Sequence, residues 1–308
     1  MKRALFLATV FALSLQARAS TYYVIVSGIG GEPDYDQRFT AAANDLNKAF
    51  ASQGPSAHVT TLTGSNSTAV KLKEALAAVA RDAKPDDDFA LILIGHGTFD
   101  GTEYKFNLVG LDMTATEMAT LCDRIPARRQ VVIDTTSSSG GAVAALEKPG
   151  RAVVAATKSG TEKNATVFAR YFVEAFQDPA ADTDKSDSVT ALEAFSYAAR
   201  KTAEFYDSQK RLATEHAVFN DIGSGDPVRE AAGAEGKLLA SMTLLRIGAA
   251  QQAAKDPAKL ALLAQKEDLE QKIDSLKYRK PAMDPVEYKS QLTAALLQLA
   301  QVQEELDK

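Results

Sequence analysis

Two apolar runs stop at glycine-rich polar segments that carry the residue types of a chemical site. Leu91-Ile92-Leu93-Ile94 ends in Gly95-His96-Gly97, and Val131-Val132-Ile133 ends in Asp134-Thr135-Thr136-Ser137-Ser138-Ser139-Gly140-Gly141. Such runs read as buried strands, and in an α/β sheet the ends of strands are where sites are built. An imidazole beside hydroxyls suits proton transfer to or from an oxygen nucleophile. A hydroxyl is far less acidic than a thiol, whose pKa is about 8.5, so its histidine must itself be held by a third group. Asp100 and Asp134 are the nearby carboxylates for that role. The bland reading of the serine run is a flexible polar loop.

The elements that must position these ends alternate. Residues 21–26, 58–62, 89–94, 131–133 and 152–156 read as strands, rich in β-branched and aromatic side chains. Helical spacing runs through 39–50, 67–80 with Ser67 as cap, 114–124, 141–146, 166–176 and 191–206. The strand at 89–94 is apolar throughout, as a parallel strand covered on both faces should be. Right-handed crossovers make this order a three-layer α/β/α sandwich with a mostly parallel sheet. Gly28, Gly30 and Gly31 invite comparison with a dinucleotide fingerprint, but Glu32-Pro33-Asp34-Tyr35 stands where that motif needs a helix start, so no nucleotide site is expected. Asp86-Asp87-Asp88 reads as a solvated turn, His58 as a strand surface residue, and His216 as hydrogen-bonded locally to Glu215 or Asp221.

Residues 1–19 read as a signal peptide: Lys2 and Arg3, an apolar run, and Ala17-Arg18-Ala19 before the cut. The expected location is therefore periplasmic or secreted, with no membrane span after cleavage. Loss of Lys2, Arg3 and Arg18 moves the formal charge from −5 to −8, which disfavours nucleic acid as a partner. Cys122 is the one cysteine in the 308 residues, so no bridge can form within the chain; it reads as a buried structural thiol on a helix face.

Residues 182–193 place oxygen donors at loop positions one, three, five, nine and twelve: Asp182, Asp184, Ser186, Thr190 and Glu193. This is an EF-hand-like calcium pattern with Asp187 where glycine belongs, and the alternative is an acidic turn that caps the next helix. No cofactor is expected to be required, and calcium is the one candidate ion. The α/β domain spans 20–228. Residues 229–308 read as helical and end in a coiled-coil-like hairpin, its arms spaced by Leu262, Leu269, Ile273 and Leu276, and by Leu292, Leu296, Leu299 and Leu306. The hairpin either packs back on the domain or self-associates.

The histidine strand end, the later strand ending in Asp134-Thr135-Thr136 and the order of elements together resemble the legumain and caspase clan of cysteine peptidases, most of all its secreted bacterial members. The resemblance covers about residues 21–226. It implies that His96 carries protons, that Thr136 occupies the position of the nucleophilic cysteine, and that the backbone N–H groups of Thr136 and Gly97 face the oxyanion. Ser138-Ser139-Gly140-Gly141 matches the family's Ser-Gly with one residue inserted. Two functions follow: a pseudopeptidase that binds peptide or protein, or an active hydrolase using His96 with the hydroxyl of Thr136, Ser137, Ser138 or Ser139.

Overall fold

The computed structural model describes residues 19–256 and 258–308. The expected leader, apart from Ala19, lies outside them. In chain order the elements are β1 (Thr21–Ser27), α1 (Pro33–Ala51), β2 (Ala57–Leu62), α2 (Ala69–Asp82), β3 (Asp88–Ile94), β4 (Gly97–Phe99), β5 (Tyr104–Phe106), β6 (Met113–Thr114), α3 (Ala115–Cys122), β7 (Arg129–Asp134), α4 (Val143–Leu146) and β8 (Arg151–Ala155). Then come α5 (Phe168–Glu174), β9 (Ser188–Thr190), α6 (Ala191–Ser208), β10 (Val218–Asn220), α7 (Lys237–Ala240), β11 (Thr243–Arg246), α8 (Gly248–Ala254), α9 (Leu260–Arg279) and α10 (Pro285–Leu306).

The central sheet has the order β10-β8-β7-β3-β1-β2. All its pairings are parallel except that of the edge strand β10 with β8. Every residue of β3 is buried, and its side chains divide by alternation. Ala90, Ile92 and Ile94 enter a core cluster with residues of α1, α5 and α6. Phe89, Leu91 and Leu93 enter another with residues of α2, α3 and α4. Two helical layers therefore cover the sheet, the three-layer sandwich expected from the order of elements. Strand order reverses between β1 and β3, so the loops leaving those two strands flank the sheet's switch point.

Several local readings are corrected. Helix α1 does begin within Glu32-Pro33-Asp34, because proline at the first turn gives up an N–H that has no intrahelical partner. The Gly30 N–H donates to the Asp36 carboxylate at 2.6 Å, which ties the glycine loop to the first turn of α1. Thr68, not Ser67, caps α2, accepting from the Lys71 N–H. Of the three aspartates 86–88 only Asp86 is exposed. Asp87 accepts from the N–H groups of Ser20 and Lys84, and Asp88 forms a two-pronged pair with Arg129 at 2.7 and 2.6 Å.

The packed body continues past Val228. β11 pairs antiparallel with β9, and Leu239, Met242, Leu244 and Leu245 join the α5/α6 core. The stretch expected to be helical throughout thus contains a strand, where Thr243-Leu244-Leu245-Arg246 finds a ready edge. The hairpin α9–α10 buries Leu263, Leu269, Val302 and Leu306 with α8. Its first arm is tied back to the body. Glu267 pairs with Arg246 at 2.7 Å, the Lys266 ammonium donates to the Ser186 carbonyl, and the Gln271 amide donates to the Ser241 carbonyl. Among the described residues no helix is long and apolar enough to cross a membrane.

Candidate functional site

Parallel pairing sets Leu93 opposite Asp134 and carries the chain directly from β3 and β7 into the two polar segments. Alternation then decides which way their side chains go. Ile92 and Ile94 point to the α1 and α5 face, and His96 follows them; its ring meets Tyr35 and Phe39 edge-on, with centroids at 4.8 and 5.1 Å. Thr136 falls on the opposite face, where its hydroxyl contacts the Tyr104 hydroxyl at 2.7 Å and donates to the Ser137 carbonyl at 3.0 Å. Thr136, Tyr104 and Asp134 are all fully buried, whereas His96 is partly exposed.

The N–H groups expected at an oxyanion are engaged in the same way. Gly97 donates to the Ser137 hydroxyl at 3.2 Å, and that hydroxyl donates back to the Gly97 carbonyl at 3.0 Å. The Thr136 N–H donates to Asp134 at 3.1 Å. Gly97 is glycine for want of room, since a Cβ there would collide with the Tyr104 ring, the Ser137 carbonyl and the Thr136 hydroxyl. Gly97, Thr136 and Ser137 therefore come together, but as a closed knot of hydrogen bonds. Among the described residues His96 makes no hydrogen bond to any hydroxyl of the run, and it lies on the other side of the strand ends.

Ser138 takes a left-handed backbone, φ 59°, which turns the chain at the point where the resemblance needed an extra residue. It is buried, and its hydroxyl has no partner among the described residues. The Ser139 hydroxyl lies against that of Thr157 at 3.2 Å. Neither carboxylate considered for holding the histidine does so. Asp100 is exposed and closes its own turn through the N–H groups of Thr102 and Glu103. Asp134 is pushed up to about 6 by burial, with the Thr136 and Tyr104 hydrogen bonds pulling the other way. Burial lowers the His96 pKa below its ordinary 6.5, Arg38 adds to this, and the Gly30 backbone with Asp36 and Glu32 opposes it. The imidazole is accordingly neutral at pH 7.

His96 opens into a cleft of about 640 Å³ between α1 and α5, lined by Tyr35, Arg38, Phe39, Arg170 and Phe205 among others. This is the size of a ligand pocket, and it sits beside the switch point of the sheet. Thr136 and the serines do not line it. No sequence signal pointed to Tyr104, which arrives from the short β4–β5 hairpin, or to Tyr35 and Phe39, whose proximity to His96 depends on where α1 crosses.

The calcium-pattern loop brings Asp182, Asp184 and Glu193 together, one carboxylate oxygen of each lying within 4.8 Å of the others. Asp182 is buried, and burial together with Asp184 and Glu193 raises its pKa. Asp187 adopts φ 63°, the left-handed turn that glycine makes without strain in such loops. The other two donors have partners inside the loop: Ser186 contacts the Ser188 hydroxyl at 2.9 Å, and Thr190 forms a capping box with Glu193. His216 pairs with Glu162 rather than with Glu215 or Asp221, a partner brought near by the chain leaving β8. His58 is exposed and stacks on Tyr22 at 4.6 Å. Cys122 is fully buried, and burial pushes its thiol up to about 11.

The sequence matches no protein-family model and no curated protein. Among solved structures the chain is similar to protein GSU0716 from Geobacter sulfurreducens, at TM-score 0.46 and 11% identity over 68% of this chain and 95% of that one. It is also similar to the Drosophila initiator caspase Dronc, at TM-score 0.42 and 14% identity over 69% of this chain and 82% of that one.

Proposed function

We propose that this chain is a homologue of caspase- and legumain-type peptidases that binds an extended peptide or protein segment in the His96 cleft without cleaving it. It would do so in the periplasm or outside the cell, and needs no cofactor. One observation carries the reading. The hydroxyl at the nucleophile position and both backbone N–H groups that would hold an oxyanion are already bonded within the protein, at Thr136, Ser137 and Gly97. Attack by Thr136 would require breaking its contacts with Tyr104 and Ser137 and reaching a histidine on the opposite face. A buried hydroxyl out of reach of the imidazole lacks the dyad's base, and its carboxylate neighbour Asp134 is itself shut off from solvent. The cleft, by contrast, offers aromatic walls at Tyr35 and Phe39 and the exposed edge of His96.

The test is a peptide-library screen that reads binding by fluorescence polarisation and cleavage by mass spectrometry. Bound peptides are expected to stay intact, and Phe39→Ala should weaken them about tenfold, or about 1.4 kcal/mol. Cleavage that disappears in His96→Ala would overturn the proposal in favour of a hydroxyl hydrolase.

A further inference from the structure

A second cavity, of about 470 Å³, lies between α6 and the chain segments at 213–217 and 229–231, and shares no lining residue with the His96 cleft. Its inner and outer ends differ in charge and in hydrogen-bonding need. Thr202 is 5% exposed, and its hydroxyl has no partner among the described residues. A helical threonine can donate to the carbonyl one turn back, but this one does not, and an unmet buried hydroxyl is unfavourable. One turn on, the Tyr206 hydroxyl donates to the Glu215 carboxylate at 3.0 Å. Glu215 is 3% exposed; its Oε1 also accepts from Val167, while its Oε2 takes a single N–H, from Phe168 at 3.1 Å. The inner end therefore presents hydrogen-bond acceptors around a buried carboxyl, whose pKa burial raises while its hydrogen bonds from Val167, Phe168 and Tyr206 oppose this, so a cationic partner there would favour the charged form.

The rim is different. Arg229 is exposed and has no ion-pair partner among the described residues, while Arg200 shares the rim and is paired with Glu204. Glu230 is also exposed there. Between the two ends the walls are small and apolar, at Ala199, Ala203 and Ala217. A ligand that matches this layout carries a cationic donor at one end, a carboxylate at the other and apolar groups between. The volume lies within the range of small-ligand pockets and suits two or three residues better than one.

We propose that this cavity binds a short peptide with free termini, its ammonium directed at Glu215 and Thr202 and its carboxylate at Arg229. The site stands apart from the His96 cleft and does not depend on the reading of that cleft.

Isothermal titration with L-leucyl-L-leucine tests it, with the N-acetylated and C-amidated dipeptides as controls. The free dipeptide should bind, and loss of either charge should weaken it about tenfold. Thr202→Val, nearly the same shape, should weaken it several-fold, and Arg229→Ala, a change at an exposed position, should abolish the preference for the acid over the amide. Phe39→Ala should leave this binding unchanged, which separates it from the cleft. Absence of heat with the free dipeptide, equal affinity for all three compounds, or binding indifferent to both Thr202→Val and Arg229→Ala would each overturn the proposal.

Discussion

At Gly97 a single missing Cβ allows the two strand ends to close on each other. Because a Cβ there would meet Tyr104, Ser137 and Thr136 at once, Gly97→Ala should destabilise the fold by roughly 1–3 kcal/mol, the usual range for overpacking, as read by urea unfolding. Asp134 gives a second prediction. Its folded pKa is raised to about 6, above the ordinary carboxylate value of about 3.9, so the folded state holds the proton more tightly. That contribution is complete below about pH 4 and is lost as pH rises through about 6. Stability of the wild type should thus fall across this window by roughly 2–3 kcal/mol relative to Asp134→Asn, the comparison removing the like-signed effect of Glu270, which burial raises to about 7. That two strands end in His96 and in the hydroxyl run was legible in the sequence, because glycines and polar side chains after an apolar run mark a strand's end. Their lack of engagement was not legible. It depends on the face each side chain takes after its strand ends, and on Tyr104, which comes from a separate hairpin.

The five parallel strands were legible at the level of elements because each is a run of apolar or β-branched residues bounded by polar or glycine-containing segments. The three-stranded sheet β4-β5-β6 was not, since strands of two or three residues carry no period. Nor was the edge strand β10, whose pairing with β8 runs against the rest. The loop at 182–193 combines both cases: its ligand pattern was visible, and its carboxylates converge, yet Glu193 serves a helix cap in the same geometry. We propose that calcium joins Asp182, Asp184 and Glu193. Calcium should then raise the melting temperature and chelator lower it, and Glu193→Gln should remove the response. An unchanged melting temperature would leave the loop as a capping turn.

On the scale of the whole molecule, the sheet order sets the loops after β1 and β3 beside each other, and the end of β3, at Ile94, Gly95 and His96, lines the cleft between α1 and α5. The hairpin is tied to the body through Arg246 and Glu267, while Val286, Leu296 and Leu297 of α10 remain exposed. Self-association through these residues is a proposal that sedimentation velocity decides: Leu297→Glu should shift any dimer to monomer. The central claim is that the nucleophile position is shut away from His96 and from the cleft. It is tested most directly by giving that position the missing thiol, in Thr136→Cys, and treating the folded protein with peptide acyloxymethyl ketones under intact-mass detection. The account predicts no label under native conditions, at position 136 or at the buried Cys122, and alkylation of both thiols by iodoacetamide once the protein is unfolded. A single stoichiometric label on the native variant, lost when His96→Ala is added, would mean that the dyad assembles and would contradict it.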